Sequence, residues 1–338
     1  MKPISKTLAI AGIVLIALIG CAAWYLAGSS PGYTGQPEPI TVGTIFNEYS
    51  GLVFIAQDQD FFSANGLNVT FRDHASSVES AGELENGTTD ITLVPEYTMA
   101  IAAFARKNIS ILGNIDKYQS VFLITRKDHG IEQIADLNGR KIGVSRGTIG
   151  EFYLGRFLLL NGISQKNVTL VPLRTSEYVD AIANGDVDAV VVVYMFLDQS
   201  RERLGDRLGA WPIQNSQKGY VVLVSRSDWA ASHGETIIRF LQSLRQAEMY
   251  SVAHPAETRA IIGKRMHYSD ATMAAVWPDH QYSLTLDQSL IAAMEDESGW
   301  MIQHNLTNAT MVPDFRNYLH PEGLREVKPE SVNIIGMT

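Results

Sequence analysis

Residues 141–162, KIGVSRGTIGEFYLGRFLLLNG, decide how this chain folds. They read as a strand over 142–144, a glycine-containing turn and a helix that Gly162 ends at its C′ position. Thr148 and Glu151 have the T-x-x-E spacing of a capping box, so the turn is expected to present backbone N–H groups at a helix N-terminus. Such a terminus suits an anion or a polar ligand atom.

The same module occurs earlier. Working outward, ELENGTTDITLVPE (83–96) and AIANGDVDAVVVVY (181–194) align without a gap, each with Asn-Gly and an Asp three residues after the Gly. In both, Gly closes a helix in the left-handed region and Asp opens an apolar run that reads as a buried parallel strand. Around them the pattern repeats: strand 40–45, helix 52–64, strand 67–72, helix from 77, strand 90–94, helix 98–107 and strand 109–115. The second copy has strand 142–144, a helix to 161, strand 168–172, a helix from 176 and strand 189–194. Two copies mean two similar lobes rather than a solenoid. The expected fold class is α/β, each lobe a parallel-rich sheet wound by helices. Two β-rich segments, YQSVFLITR (118–126) and YVVLVSR (220–226), bracket the second lobe and are expected to carry the chain across a hinge. After 227 the chain is expected to return to the first lobe and be mostly helical, its tail from 319 packing back. The expected division is 40–122 with 223–338 as lobe I, and 123–222 as lobe II.

A length of 338 residues with 46% hydrophobic and 19% charged content fits a globular protein of about two domains. A net charge of −9, with no Lys/Arg run, argues against nucleic acid as partner. The eight histidines are scattered without an i,i+4 pair and the body has no cysteine, so neither a metal site nor a cofactor is expected.

Lys2 and Lys6 precede an apolar run from Leu8 to Gly20, the pattern of an export segment. Leu18-Ile19-Gly20-Cys21 resembles a lipobox in which Cys21 would be lipidated. The apolar run continues to Ala27, so an uncleaved membrane anchor is the other reading of 1–28. Either tethers the rest on the outer face, and a cysteine-free body suits that compartment. Residues 29–39, SSPGYTGQPEP, read as a linker. Six N-x-S/T sequons occur at Asn68, Asn86, Asn108, Asn167, Asn305 and Asn308.

In order, IAQDQDFFSANGLNVTF (55–71), ELENGTTDI (83–91), IADLNGRKIGVSRGT (134–148), AIANGDVDAVVV (181–192) and LREVKPESVNII (324–335) resemble the nitrate/sulfonate/taurine-type substrate-binding proteins of ABC importers, a group that includes binders of thiamine-pyrimidine precursors. The resemblance covers about residues 40–335. It implies the type II periplasmic-binding-protein-like clamp, two lobes joined by two crossover strands, that closes on a small solute and delivers it to a permease with its cytoplasmic ATPase. A monomer is expected, not an enzyme, at the extracytoplasmic face. The alternatives are a sensing module for a separate signalling partner, and an enzyme like the pyrimidine synthases that share the fold. Those synthases use a cysteine-rich motif that this body lacks.

Carried over residue by residue, the resemblance implies a ligand site of Asn47, Glu48 and Tyr49 after the first strand, Pro95 and Glu96 after the third, Arg146, Gly147 and Thr148 at the helix N-terminus, and Tyr194. Many relatives have an acid after that last strand where this chain has Tyr194-Met195-Phe196. If Glu48 and Glu96 face the cleft they favour an amine or aminopyrimidine, Arg146 and Thr148 favour an anionic group, and the two tyrosines can stack on a ring. Together they favour a zwitterionic or amino-heteroaromatic solute over a bare oxyanion such as nitrate, and with the resemblance the expected solute is sulfonate- or taurine-like or aminopyrimidine-like.

Overall fold

The computed structural model describes residues 33–45, 47–214 and 217–337. The expected export segment with Cys21, the first residues of the linker and Phe46 lie outside the described residues.

Among the described residues twelve strands form two sheets. In chain order they are β1 (Glu38–Ile45), β2 (Leu67–His74), β3 (Ile91–Pro95), β4 (Ile109–Tyr118), β5 (Val121–Arg126), β6 (Lys141–Val144), β7 (Thr169–Pro172), β8 (Ala189–Val193), β9 (Leu208–Pro212), β10 (Gly219–Arg226), β11 (His280–Asp287) and β12 (Val332–Asn333). One sheet has seven strands in the order β12-β11-β4-β10-β3-β1-β2, the other five in the order β7-β6-β8-β5-β9. Helices cover both, giving two α/β lobes as the repeat requires. The chain passes between sheets twice, at 118–121 and between β9 and β10. Gln214, in the second passage, donates through Nε2 to the Tyr118 carbonyl at 2.8 Å, tying the passages together.

The repeat is exact at the level of register. β1 runs parallel to β2 and β3, with Val42 opposite Ile91 and Gly43 opposite Thr92. β6 runs parallel to β7 and β8, with Ile142 opposite Ala189 and Gly143 opposite Val190. An antiparallel strand then flanks each trio, β10 on β3 and β5 on β8. Gly43 and Gly143 hold equivalent places where the sheet is crowded. A Cβ would lie 2.4 Å from Thr92 Oγ1 at the first and 2.5 Å from Leu173 Cδ1 at the second.

The aspartate shared by the two copies has a defined task. Asp90 Oδ2 accepts from Thr41 N at 2.8 Å, and Asp188 Oδ2 accepts from Lys141 N at 3.0 Å. Each carboxylate thus satisfies a backbone donor of the strand beside it, the fourth residue of β1 and the first of β6, after Gly87 (φ 73) or Gly185 (φ 81) has turned the chain out of its helix. Asp90→Ala is expected to lower stability by about 1–2 kcal/mol, the cost of a part-buried N–H left without its charged acceptor, read as a lower urea midpoint.

Several elements differ from the sequence reading. The single helix expected over 52–64 is two, Gly51–Asp58 and Phe61–Ala64, because Asp60 takes a left-handed turn at φ 56. The helix expected from 98 begins at Glu96, directly on the end of β3. The region after 227 is mostly helical as expected, but it also supplies β11, second from one edge of the larger sheet and antiparallel to β4. The tail does return to this lobe, where Leu319 bridges Ile111 and Glu322–Val327 packs on the Gly234–Ala253 helix.

Candidate functional site

The parallel strands of both sheets end towards a common cleft, where the loops of an α/β sheet bind ligands. A cavity of about 820 Å³ opens there. From the first lobe it is lined by Ile45, Asn47 and Tyr49 after β1, by residues 73–79 after β2, and by Pro95. From the second come Ser145 and Thr148–Gly150 after β6, Arg174–Ser176 after β7, and Val191–Val193, Met195 and Phe196 at the end of β8. Val121, at one chain passage, completes the wall.

Among the described residues four helices start at this cavity, Ser77–Glu85, Glu96–Phe104, Ile149–Leu160 and Tyr194–Leu204, and two of them put their first turns on its wall with hydroxyl groups beside them. Ser77–Glu85 is capped by Ser76, whose Oγ accepts from Glu79 N at 3.3 Å. Ile149–Leu160 begins with Thr148, Ile149 and Gly150, all on the wall. Each places its positive end and first N–H groups at the cleft. The expected capping box at Thr148 is not formed. The Thr148 hydroxyl instead donates back to the Ser145 carbonyl at 2.8 Å, and the buried Glu151 accepts from Gly147 N at 2.8 Å and meets Arg146 Nη2 at 3.1 Å. Glu151 therefore fixes the turn from behind and leaves its cleft side open.

Of the nine residues carried over from the resemblance, Asn47, Tyr49, Pro95 and Thr148 line the cavity. Asn47 Oδ1 accepts from Tyr49 N at 3.2 Å. Tyr49 stacks on Tyr118 at 4.1 Å between ring centroids, and its hydroxyl lies 3.0 Å from Ser120 Oγ. Gly147 and Arg146 are exposed and do not line the cavity; both are joined to Glu151. Tyr194 is buried edge-on against Phe122 and Tyr268, and its neighbours Val193, Met195 and Phe196 face the cleft instead.

The two glutamates point away from the cavity, which removes the carboxylates expected to meet an amine. Glu48 is fully buried in the first lobe and accepts from the Tyr268 hydroxyl at 3.1 Å. His280 stands between it and Asp116, with Nδ1 2.6 Å from Asp116 Oδ2 and Nε2 3.9 Å from Glu48 Oε1. Burial raises the carboxyl of Glu48 above its ordinary pKa, against the pull of His280. Burial pulls His280 down, but Asp116 and Glu48 outweigh it and hold the imidazole above its ordinary value. Glu96 is buried against Glu297; the Tyr220 and Tyr97 backbones lie beside the Glu96 carboxyl and support it weakly, but no hydrogen bond of good geometry reaches the four carboxyl oxygens among the described residues. Burial pushes Glu96 up to about 8, and burial together with the charge of Glu96 raises Glu297 well above the carboxylate range. Both carboxyls therefore keep their protons at neutral pH, and once one ionises its charge holds the proton on the other, as for any two close buried carboxyls.

Residues 73–79 and 174–176 escaped the sequence reading. The signal was present, since they follow β2 and β7, which are parallel strands related by the repeat. Every loop at that edge is a wall of the cleft.

The lobes meet around the cavity. Trp300 of the first lobe lies on Gly155 and edge-on to Phe152 of the second, at 5.4 Å between centroids. Arg156 pairs with Asp296, and Thr175 Oγ1 donates to the Ala75 carbonyl at 3.5 Å across the mouth. Among the described residues no three His, Cys, Asp or Glu are placed to hold a metal ion, and no helix is long and apolar enough to cross a membrane.

A two-lobed α/β clamp with its cavity between sheets defines a class of proteins, and comparison with known proteins places the chain within it. The chain belongs to the family described as NMT1/THI5 like, whose model matches residues 47–258. A taurine-binding periplasmic protein of Escherichia coli is 25% identical over 227 residues, covering 65% of this chain and 69% of that protein. The solved alkanesulfonate-binding protein SsuA from Xanthomonas axonopodis pv. citri, bound to MOPS, superposes with a TM-score of 0.71 at 15% identity, covering 85% of this chain and 100% of that one. Enzymes occur among the relatives as well. The 4-amino-5-hydroxymethyl-2-methylpyrimidine phosphate synthase of Schizosaccharomyces pombe is 20% identical over 220 residues, covering 61% of this chain and 63% of the synthase.

Proposed function

We propose that this chain is the extracytoplasmic solute-binding component of an ABC importer, closing on a small organic anion of the sulfonate or taurine kind and handing it to a permease. The observation that carries the reading is the cleft itself, about 820 Å³ between two sheets, within the range of small-molecule sites. The helix N-termini at the cleft and the hydroxyls of Ser76, Ser77 and Ser176 suit an anionic head. Ile45, Val121, Val191 and Phe196 suit an apolar body. The named substrates of the relatives support the same class. Glu48 and Glu96 face away from the cavity, so an aminopyrimidine loses the carboxylates that favoured it.

Asn47, Tyr49, Pro95 and Thr148 are the first residues to bear on the solute, with Ser76 and Ser176 beside them. The lobes, 40–122 with 223–338 and 123–222, move as two bodies about the chain passages. A solute that touches both binds the closed state better and shifts the population towards it. The protein acts as a monomer, tethered through its N-terminal segment. The body has no cysteine, so it lacks the cysteine-rich motif of the synthases, and binding without turnover is the better reading.

The test is a thermal-shift panel on residues 33–338 with taurine, longer alkanesulfonates, nitrate and aminopyrimidines. A ligand at a hundred times its Kd stabilises the fold by about 2.7 kcal/mol. An organic sulfonate is expected to raise the melting temperature and aminopyrimidines to leave it unmoved. A response to aminopyrimidines alone overturns the anionic assignment. Ser176 is exposed on the wall, so Ser176→Trp fills the cavity without disturbing the core. This variant is expected to weaken solute binding at least ~100-fold, or about 2.7 kcal/mol, at unchanged stability.

A further inference from the structure

The chain has fifteen asparagines, and Ser or Thr occupies 45 of its 338 positions. Chance alone would give about two N-x-S/T triplets, and six are present. The fold arranges them in a way the sequence does not show. All six asparagines are exposed and none lines the cleft.

Four stand where parallel strands begin, at the end of the sheet opposite the cleft. Asn68 is the second residue of β2, Asn86 caps the helix that leads into β3, and Asn167 lies two residues before β7. Asn108 directly precedes β4, which runs parallel to β3 because both are antiparallel to β10. Asn305 and Asn308 lie in the exposed segment after the Gln288–Gln303 helix. The neighbouring Ala309 shares a surface groove with Asn108.

The hydroxyl of each triplet sorts them further. Thr70, Thr88, Thr169 and Thr310 are exposed together with their asparagines. Thr307 is half-buried, and its Oγ1 accepts from Ala309 N at 3.2 Å. Ser110, the partner of Asn108, is buried with its Oγ 2.8 Å from Ser227 Oγ. On β2, Asn68 and Thr70 share one face of an edge strand, so a bulky group there also covers a sheet edge open to pairing.

We propose that Asn68, Asn86, Asn167 and Asn308 carry N-linked glycans and that Asn108 does not. The donor is a lipid-linked diphospho-oligosaccharide on the outer face of the membrane, and the proposal rests on the outer-face location argued above. The amide Nδ2 attacks the anomeric carbon, the bond from that carbon to the diphosphate oxygen breaks with its electron pair leaving on the diphosphate, and the amide gives up one proton as the C–N bond forms. Glycans at these places coat the outer poles of the clamp and leave its mouth free.

The experiment is glycopeptide mass spectrometry on the full chain isolated from its native host's membranes, beside protease digestion of intact cells. Sugar mass is expected on the peptides of the four exposed sequons and not on that of Asn108. Each Asn→Gln change is expected to remove its own increment and leave solute affinity within about twofold, since none of the four lines the cleft. Surface cleavage with all four asparagines bare overturns the glycan proposal alone. Protection from protease in intact cells, with bare asparagines, overturns the outer-face location and the glycans with it. Sugar on Asn108 in place of the four overturns the accessibility argument.

Discussion

Glu297→Gln is expected to make the protein more stable at pH 8 by about 2 kcal/mol and to flatten its loss of stability with rising pH. The sign follows from the protons that the buried pair keeps on folding. Below the ordinary glutamate value of 4.5, the Glu96 carboxyl is protonated in both folded and unfolded chains. Between there and about 8 the unfolded glutamate ionises while the folded one keeps its proton, because burial holds it up. The folded state then binds more protons, so stability falls as pH rises across that window, and Glu297, held up by burial and by the charge of Glu96, prolongs the fall. Replacing Glu297 by the isosteric amide removes one buried acid and gives Glu96 a donor, which lowers the pKa of Glu96 and shrinks the window. Melting temperatures of the two proteins at pH 5, 6.5, 8 and 9 measure this. Glu48 and Asp116 are raised by burial too and stay unchanged in both proteins, so the difference between the curves isolates the pair. Parallel curves would show that the buried pair does not keep its protons on folding.

Gly155→Leu is expected to weaken solute binding at least ~10-fold, about 1.4 kcal/mol, while the second lobe keeps or gains stability. Gly155 sits within the Ile149–Leu160 helix, where leucine is favoured over glycine by about 0.5–1 kcal/mol. A Cβ at that position would lie 2.6 Å from Trp300 Cζ2 on the opposite lobe, closer than real atoms approach. Trp300 is buried by Phe152 and stacks on His304, so it has little room to yield. The strain is relieved by parting the lobes, and a population moved towards the open clamp binds more weakly by the fraction lost. Small-angle scattering should show a larger radius of gyration for the variant, and adding Trp300→Ala should restore both radius and affinity. Wild-type affinity in Gly155→Leu alone would mean that this contact does not set closure.

The architecture was legible because the chain states it twice. Asn-Gly followed by Asp fixes a helix end, a strand start and a backbone donor of the neighbouring strand, all within a few residues. Asp90 and Asp188 do the same work in the two sheets. β11 was missed although Tyr282, Leu284 and Leu286 alternate in HQYSLTLD, a period-two signal set among helices.

Side-chain direction at the site was not legible for a different reason. Glu48 turns inward towards Tyr268 and His280, and Glu96 towards Glu297, partners about two hundred residues away in sequence. No local pattern encodes such pairings. Arg146 and Thr148 bind their own turn, where the spacing suggested a box and a free cation. The walls after β2 and β7 follow from topology and needed only the rule that parallel strands end at the ligand.

The claim that this clamp holds an organic anion in its cleft is tested most directly by titration calorimetry of ethane- to hexanesulfonate and taurine into residues 33–338, wild type beside Ser176→Trp. The account predicts saturable one-site binding of at least one of these anions by the wild type and its loss in the variant. Binding that survives Ser176→Trp, or no binding of any of them by a folded protein, would contradict it.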